Sequence, residues 1–114
     1  MKPRLLDLFA GAGGCARGYQ RAGFHVTGVD IKLQPRYAGD LFVQADALKP
    51  PFDLRQFDAI HASPPCQAYS RLPQGGAEHY KRLIPYVREL LVAAGVPWVI
   101  ENVQGAPLFH KAML

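Results

Sequence analysis

Short apolar runs that alternate with helix-forming segments constrain the fold of this chain more than any other feature. The apolar runs occupy 4–9, 24–30, 41–46, 57–62 and 96–103, and helical spacing occurs at 15–22 and 77–94. Strands that alternate with helices pair in parallel and are joined by right-handed crossovers. We therefore predict an α/β fold built on a parallel sheet.

The longer helix candidate, 77–94, contains a proline. Its apolar residues recur at spacings of three and four, which is typical of an amphipathic helix. Pro85 falls inside this pattern, and a proline removes a hydrogen bond from a helix interior. We therefore expect either a kink or a helix start near Pro85. In the shorter candidate, Gly23 is expected to end the helix.

The length and composition fit one globular domain, whose positive charge suits a polyanionic partner but is equally explained by solubility. A chain of 114 residues, 49% of them hydrophobic, is long enough for one hydrophobic core. No apolar run approaches the ~20 residues of a membrane span, and Asp7 comes too early for a secretory signal. Because Cys15 and Cys66 lie in unlike contexts, we expect a reduced cytoplasmic setting and no membrane partner. The net charge of +4 suits a polyanion.

A glycine-rich turn joins the first strand to the first helix. The residues from Gly11 to Ala16 fit the pattern G-x-G-x-x-G/A, and Asp30 ends the next strand. Glycines let the backbone approach a ligand, and the acid accepts hydrogen bonds from ribose hydroxyls. The pattern predicts a nucleotide-like ligand, either a dinucleotide or S-adenosylmethionine. Asp7 favours the second, since a carboxylate attracts an ammonium and repels a pyrophosphate. A hydrogen bond that stabilises the turn is the competing interpretation of Asp7.

The fourth apolar run is followed by Ser63-Pro64-Pro65-Cys66-Gln67-Ala68-Tyr69-Ser70. The two prolines end the strand, so the chain leaves the sheet at its carboxyl end, where ligand sites of open α/β sheets lie. Cys66 is the first reactive side chain there. A positioned thiolate attacks electrophilic carbon, whereas most free cysteines are small buried hydrophobes. This stretch alone leaves both interpretations open.

Four motifs, taken in order, carry a resemblance to a known family. They are Asp7-Leu8-Phe9-Ala10-Gly11-Ala12-Gly13-Gly14, Gly28-Val29-Asp30, Ser63-Pro64-Pro65-Cys66-Gln67 and Glu101-Asn102-Val103. In residue identity, order and spacing they resemble the amino-terminal motifs of the DNA cytosine-5 methyltransferases, and the resemblance covers nearly the whole chain. The resemblance implies the Rossmann-like fold of S-adenosylmethionine-dependent methyltransferases. We therefore expect the strand order 3-2-1-4-5, with an exposed edge at the fifth strand.

The resemblance also implies a reaction and its catalytic residues. It implies a DNA (cytosine-5-)-methyltransferase that uses S-adenosylmethionine and acts on double-stranded DNA. Cys66 would be the nucleophile and Glu101 the partner carboxyl, while Asn102 would hold the loop or the glutamate by hydrogen bonds. Taken without the resemblance, Glu101-Asn102-Val103 favours a structural carboxylate that caps the following turn.

The cofactor-binding residues follow from the same resemblance. In such enzymes the glycine turn holds the amino-acid part of the cofactor. Asp30 would take the ribose, Asp46 would lie near the adenine amino group, and Phe9 and Ile31 would flank the ring. The complete set is Asp7, Phe9, Gly11, Gly13, Gly14, Asp30, Ile31, Asp46 and Pro65.

The reaction needs both a thiol and a carboxylic acid. Addition of a thiolate to carbon 6 of cytosine loads electron density onto carbon 5, which can then take the methyl group. An acid at ring nitrogen 3 neutralises the developing charge by giving a proton. Glu101 has to be neutral for this role, so we expect it to be buried. The base must also rotate out of the duplex to reach the thiol.

Other candidate groups have simpler interpretations. His61 lies five residues before Cys66, but at ~3.3 Å per strand residue the two are too far apart for a catalytic dyad. We interpret His61 as a packed strand residue that lacks an orienting third group. Cys15, at a helix start, is expected to pack against the sheet with a slightly lowered pKa. Three further histidines have no metal-ligand spacing with the cysteines, so we predict no metal: His25, His79 and His110.

Nothing after Val103 matches the later motifs of the family. The arginine-bearing strand, the target-recognition region and the late segment that completes the cofactor pocket are not visible. We expect 1–114 to be the amino-terminal cofactor-binding and catalytic part, cut short or completed by a second chain, and inactive alone. Two alternatives remain open. One is a catalytically incomplete remnant or subunit that binds cofactor or DNA as a module, and the other is a dinucleotide-binding oxidoreductase domain.

Overall fold

The computed structural model describes residues 1–64 and 76–101, without the side chains of 76–82. Within these ranges the strands are β1 (Arg4–Leu8), β2 (His25–Asp30), β3 (Leu41–Gln44), β4 (Ala59–Ala62) and β5 (Trp98–Ile100), and the α-helices are α1 (Ala16–Arg21) and α2 (Gly76–Ala94). A short 3₁₀ turn, Leu54–Gln56, precedes β4. No helix in the described ranges is long and apolar enough to cross a membrane.

All five strands belong to one parallel sheet. Their order is β3-β2-β1-β4-β5, which confirms both the predicted fold class and the predicted strand order. β1 is central, with Leu6 opposite Thr27 of β2 and Ile60 of β4. Because β1 is covered on both faces, its residues from Leu5 to Leu8 are all buried.

The strands are shorter than the apolar runs that predict them. The third run predicts a strand that ends on Asp46, but β3 ends at Gln44, opposite Asp30. β4 begins at Ala59 because the N–H of Phe57 bonds back to Leu54 at the end of the 3₁₀ turn. Glu101 follows β5 directly, and Asn102 lies outside the described residues.

The two helices match the predictions in part. α1 ends at Arg21, and Gly23 adopts a φ of +102°, as expected for the residue that ends a helix. α2 continues from Gly76 through Pro85 to Ala94. The alternative of a helix start near Pro85 is therefore wrong.

One face of the sheet, the α2 face, packs against the longer helix. The side chains in this cluster are apolar and almost fully buried. Those that come from α2 have the helical spacing seen in the sequence. From the strands come Leu6, Leu8, Val29, Ile60, Ala62 and Ile100, and from α2 come Leu83, Ile84, Val87, Leu91 and Ala94. This cluster is the main hydrophobic core.

The opposite face, the α1 face, has a smaller apolar cluster and buried polar groups. Leu5, Val26 and Ala59 meet Ala16 of α1. Two residues further along β1 and β4, the position on this face is polar, because Asp7 lies opposite His61. Both are buried, at 1% and 5% exposure. The polar groups lie toward the carboxyl ends of the strands, which is where the candidate site is found.

Candidate active site

The glycine turn lies at the carboxyl end of β1 and bends sharply over β2. Phe9, Gly11 and Gly13 have φ values of +57°, +55° and +92°. The N–H of Ala10 bonds to the carbonyl of Val29 at 3.0 Å, which fixes the turn over the end of β2. A side chain on Gly11 or Gly14 would meet nothing within 4 Å. The turn therefore presents open backbone at the edge of the sheet, as the glycine pattern predicts.

Asp30 holds the glycine turn from the end of β2. One carboxylate oxygen accepts from the N–H of Gly11 at 2.8 Å, and the other accepts from the N–H of Lys32 at 3.0 Å. Each carboxylate oxygen has a second lone pair, so two donors leave acceptor capacity unused. The geometry is compatible with ribose hydroxyls at Asp30, and the role of Asp30 in cofactor binding stays a prediction.

Tyr37 fills the space on the α1 face beside the glycine turn. Its ring lies so close to Gly13, Gly28 and Gly39 that a Cβ atom on any of them would clash with it. Gly28 is part of the motif Gly28-Val29-Asp30. The structure gives this glycine a packing role, because it makes room in β2 for the tyrosine ring.

Asp7 lies under Tyr37 and is not open to solvent. One oxygen accepts from the Tyr37 hydroxyl at 3.0 Å, and the other lies 3.6 Å from the Cys15 thiol. Burial raises the pKa of Asp7, although the hydrogen bond from Tyr37 acts in the opposite direction. These partners are side chains, whereas the competing interpretation expected a hydrogen bond that stabilises the turn itself. An ammonium-binding role stays a prediction, and a ligand could reach this carboxylate only if Tyr37 moved.

The pKa of Cys15 differs from the predicted one. It is half-buried beside Asp7, and burial together with the nearby carboxylate raises the pKa of the thiol to about 12. The expected lowering at a helix start is therefore wrong. α1 has only six residues, so its N-terminal field is weak compared with desolvation and a neighbouring acid.

His61 is the centre of a second polar group on the same face. The Tyr19 hydroxyl lies 2.7 Å from Nδ1, and the Ser63 hydroxyl and Glu101 Oε1 each lie 3.0 Å from Nε2. The Ser63 hydroxyl also donates to Glu101 Oε1, at 3.2 Å. His61 is packed in a strand, as predicted, but the statement that it lacks orienting groups is wrong.

Glu101 is fixed at the end of β5. Its N–H bonds to the carbonyl of Ala62 at 2.8 Å, and its carboxyl group meets His61 and Ser63. The side chain is 59% exposed, so the expected burial is absent from the structure. Hydrogen bonds, rather than surrounding apolar atoms, position this carboxyl group.

The remaining predicted site residues are spread along the same edge of the sheet. Phe9 is half-buried against the main core, and Ile31 is 66% exposed just beyond β2. Asp46 is exposed and accepts from the N–H of Leu48 at 2.9 Å, which closes a local turn. Pro65, Cys66 and Asn102 lie outside the described residues. In the ranges that the structure covers, no group of three or more His, Cys, Asp or Glu side chains could hold a metal ion.

Sequence reasoning missed Tyr19 and Tyr37 and undervalued His61. The available signal was a pair of polar residues, Asp7 and His61, inside otherwise apolar runs. Buried polar groups need hydrogen-bond partners, so Asp7 and His61 require partners from elsewhere in the chain. The sequence does not show which residues those are, because Tyr37 is 30 residues from Asp7 and Tyr19 is 42 from His61.

The chain matches a known family model and a curated relative. A family model for C-5 cytosine-specific DNA methylase matches residues 3–111. Type II methyltransferase M1.HphI of Haemophilus parahaemolyticus is 32% identical over 85 residues, which cover 61% of this chain and 23% of that protein. This chain thus corresponds to less than a quarter of the length of that relative.

A solved structure shares the fold. It is the Burkholderia thailandensis 1,6-didemethyltoxoflavin-N1-methyltransferase, crystallised with 1,6-didemethyltoxoflavin and S-adenosylhomocysteine. The two chains align with a TM-score of 0.50 and 22% identity, over 87% of this chain and 44% of the other. At this identity the likeness concerns the fold alone, and it supports a Rossmann-like parallel sheet.

Proposed function

The chain belongs to the C-5 cytosine-specific DNA methylase family, and on that premise we propose that it supplies the cofactor-binding and catalytic half of a DNA (cytosine-5-)-methyltransferase. The reaction would transfer a methyl group from S-adenosylmethionine to carbon 5 of cytosine through a covalent adduct with Cys66. Double-stranded DNA would be the substrate, and a reduced cytoplasm the setting.

One contact carries this proposal most directly. The Ser63 hydroxyl donates to Glu101 Oε1 at 3.2 Å, which joins the end of β4 to the end of β5. Cys66 follows Ser63 by three residues, a reach of at most about 11 Å of extended chain. The segment that carries the proposed nucleophile therefore starts at the carboxyl group of the proposed acid. This chain proximity supports a site in which Cys66 and Glu101 act on the same cytosine ring.

The described residues fit S-adenosylmethionine at the same edge of the sheet. The open backbone at Gly11 and Gly14 suits the amino-acid part of a cofactor. Asp30 keeps acceptor capacity for ribose hydroxyls, and the exposed Ile31 offers an apolar surface for a ring. When bound, the cofactor supplies an electrophilic methyl group on sulfur.

In this proposal Cys66 supplies an electron pair to the ring and Glu101 supplies a proton. The Cys66 thiolate gives an electron pair to carbon 6 of the ring, and ring nitrogen 3 takes a proton from Glu101, so that carbon 5 becomes nucleophilic. After methylation a base removes the carbon 5 proton, the C6–S bond breaks with its electrons returning to Cys66, and nitrogen 3 returns its proton to Glu101. The sequence of steps restores thiolate, acid and aromatic ring.

Full activity would need surface beyond 1–114. Because the chain spans less than a quarter of its methyltransferase relative, a carboxy-terminal region or a second chain would recognise the target and close the cofactor pocket. The same observation favours a second candidate, in which the chain is a catalytically incomplete module that binds cofactor or DNA. Phosphate contacts alone would then make DNA binding weak, non-specific and steeply salt-dependent.

A covalent-trapping experiment separates these functions. We expect no turnover by residues 1–114 alone with S-adenosylmethionine and duplex DNA. When a carboxy-terminal segment from a longer family member is added, duplex DNA containing 5-fluorocytosine should form a covalent adduct, since fluorine cannot leave as a proton. Cys66→Ala should lose the adduct and Cys15→Ala should keep it.

Two results would contradict the proposal. An adduct that survives in Cys66→Ala would remove the assigned nucleophile. Cofactor and DNA binding without any adduct in the completed protein would support the binding module instead. Calorimetric titration with S-adenosylmethionine and with NAD excludes the oxidoreductase alternative if only the first binds.

A further inference from the structure

We propose that Tyr19 and His61 act as a positioning pair for Glu101, fixing which oxygen of its carboxyl group carries the proton in the reaction. The inference deepens the proposed function and rests on it, because it concerns how the acid of that reaction is prepared. Neither residue belongs to the motifs that carry the family resemblance.

The position of Tyr19 allows one assignment of hydrogen-bonding roles to the imidazole. Burial raises the pKa of Tyr19 to about 12, so its hydroxyl keeps its proton near neutral pH. Its oxygen lies 2.7 Å from His61 Nδ1, and the ring of Phe24 packs edge-on against Tyr19 at 5.9 Å between centroids. A protonated hydroxyl can donate to Nδ1, and the proposal assigns it this role, because a neutral imidazole that accepts at Nδ1 carries its hydrogen on Nε2.

In this tautomer the hydrogen on Nε2 lies between His61 and the Ser63–Glu101 pair. Nε2 lies 3.0 Å from both Glu101 Oε1 and the Ser63 hydroxyl oxygen, and the Ser63 hydroxyl donates to the same Oε1 at 3.2 Å. Oε1 thus receives hydrogen bonds from two donors and acts as an acceptor.

This arrangement assigns the two carboxyl oxygens different tasks. A carboxyl group that accepts two hydrogen bonds at Oε1 carries its proton on Oε2 when it is neutral. Oε2 is then the oxygen that gives a proton to the cytosine ring. After transfer, the charge left on the carboxylate is stabilised at Oε1 by donors that are already in place, so little reorganisation is needed.

Each packed element around His61 contributes a polar or titratable group. β1 supplies Asp7, which lies opposite His61 in the sheet register, and α1 supplies Tyr19. Ser63 follows β4, and Glu101 follows β5. Any buried histidine needs hydrogen-bond partners. The proposal is supported by which partners these are, because Nε2 of His61 meets two groups of the candidate site, Ser63 and Glu101.

The first test reads the tautomer and is independent of activity. In the full chain labelled with ¹⁵N-histidine, His61 should show the Nε2–H tautomer near neutral pH. Tyr19→Phe should convert it to a mixture of tautomers, whereas Tyr86→Phe, at an exposed position of α2, should leave it unchanged. An Nδ1–H tautomer in the unaltered protein, or no change in Tyr19→Phe, would overturn the proposal.

The second test uses covalent trapping in the completed protein. His61→Ala should slow adduct formation about tenfold, the rate equivalent of one hydrogen bond to a charged group, without changing the affinity for DNA or cofactor. His61→Gln, whose amide N–H can replace the Nε2 donor, should return the rate to within about threefold of the original. His25→Gln, at the amino end of β2, is the matched control and should keep the full rate.

The outcomes separate this inference from the proposed function. If His61→Ala and His25→Gln trap DNA equally fast, the positioning role is wrong while the methyltransferase proposal stands. If the unaltered, completed protein forms no adduct, the proposed function fails and the catalytic role of the pair fails with it. The tautomer measurement would then still show whether the hydrogen-bond network exists.

Discussion

The two faces of the sheet are built on different principles. The α2 face joins apolar strand residues to apolar residues of a 19-residue helix. The α1 face has a six-residue helix and a small apolar cluster, and two polar side chains, Asp7 and His61, are buried where the first face has leucine and isoleucine. The first face stores most of the hydrophobic stabilisation, whereas the second holds the groups that lead to the candidate site.

This contrast shows how a small sheet combines stability with chemistry. Burying a polar group costs free energy unless it is hydrogen-bonded. On the α1 face Tyr37 and Cys15 satisfy Asp7, and Tyr19 satisfies His61. On the α2 face the clustered side chains are apolar and Thr27 is a buried polar exception, so the contribution of this face to stability depends mainly on packed volume. Substitutions should therefore affect the two faces in different ways.

The largest effect is expected on the α2 face. Leu91 is fully buried, and Leu91→Ala should lower the free energy of unfolding by about 3 kcal/mol, from lost burial and the cavity that remains. Urea denaturation followed by circular dichroism measures this change. Val92→Ala is the control on the same helix, since Val92 is exposed. A loss of similar size in Val92→Ala would mean that the outer side of α2 is covered.

The next effect tests the close packing of Tyr37 on the α1 face. Gly28→Ala places a Cβ atom against the Tyr37 ring and should destabilise the fold by about 2 kcal/mol. Gly18→Ala is the matched control, because a Cβ atom there meets nothing within 4 Å and alanine favours the helix. Combining Gly28→Ala with Tyr37→Ala should cost less than the sum of the two single changes. Additive costs would show that the ring does not set the requirement for glycine.

A smaller effect concerns whether the ionised carboxylate of Asp7 raises or lowers the free energy of unfolding. Burial raises the pKa of Asp7 above its ordinary value of 3.8, so folding penalises the ionised form. The penalty is complete above the folded-state pKa and disappears as pH falls below the unfolded value. Asp7→Asn should therefore stabilise the fold near neutral pH, by about 1 kcal/mol. Its advantage should shrink toward pH 4, as measured by urea midpoints at both pH values.

Asp40 provides the control of opposite sign. The N–H of Val26 and the side chain of Gln20 hydrogen-bond to this carboxylate and lower its pKa. Its contribution to stability is present near neutral pH and is lost as pH falls through the lowered pKa. Asp40→Asn should thus be destabilising near neutral pH, and the difference should vanish in acid. If both asparagine variants shift stability in the same direction, burial does not dominate at Asp7.

The smallest effect is one of reactivity and leaves the fold intact. The pKa of Cys15 is raised to about 12, so very little thiolate exists at pH 8. Iodoacetamide should modify Cys15 much more slowly than a free cysteine, as followed by mass spectrometry of the folded protein. Because the neighbouring carboxylate contributes to the raised pKa, Asp7→Asn should speed the modification. Fast labelling of Cys15 in the unaltered protein would contradict the described contact with Asp7.

The residue pattern alone determined the fold class and the edge of the sheet that carries the candidate site, and the family resemblance supplied the strand order. Apolar runs that alternate with helical spacing predict parallel strands, and the glycine turn and Asp30 mark strand ends whatever packs around them. These signals are local in the chain, so they can be read without coordinates. Gly23 is a further local signal, because a glycine with positive φ ends a helix through its own backbone conformation and that of its neighbours.

Tertiary structure alone decided which side chains meet on the α1 face. It placed Tyr37 over Gly28, gave Asp7 side-chain donors, and brought Tyr19 and Glu101 to the two nitrogens of His61. It also raised the pKa of Cys15, where the sequence predicted a lowered value. These contacts join residues far apart in the chain, and their strength depends on burial, which no local pattern records. Hydrogen bonds and desolvation act between atoms in space, so the chemistry of this face becomes visible only once the sheet has formed.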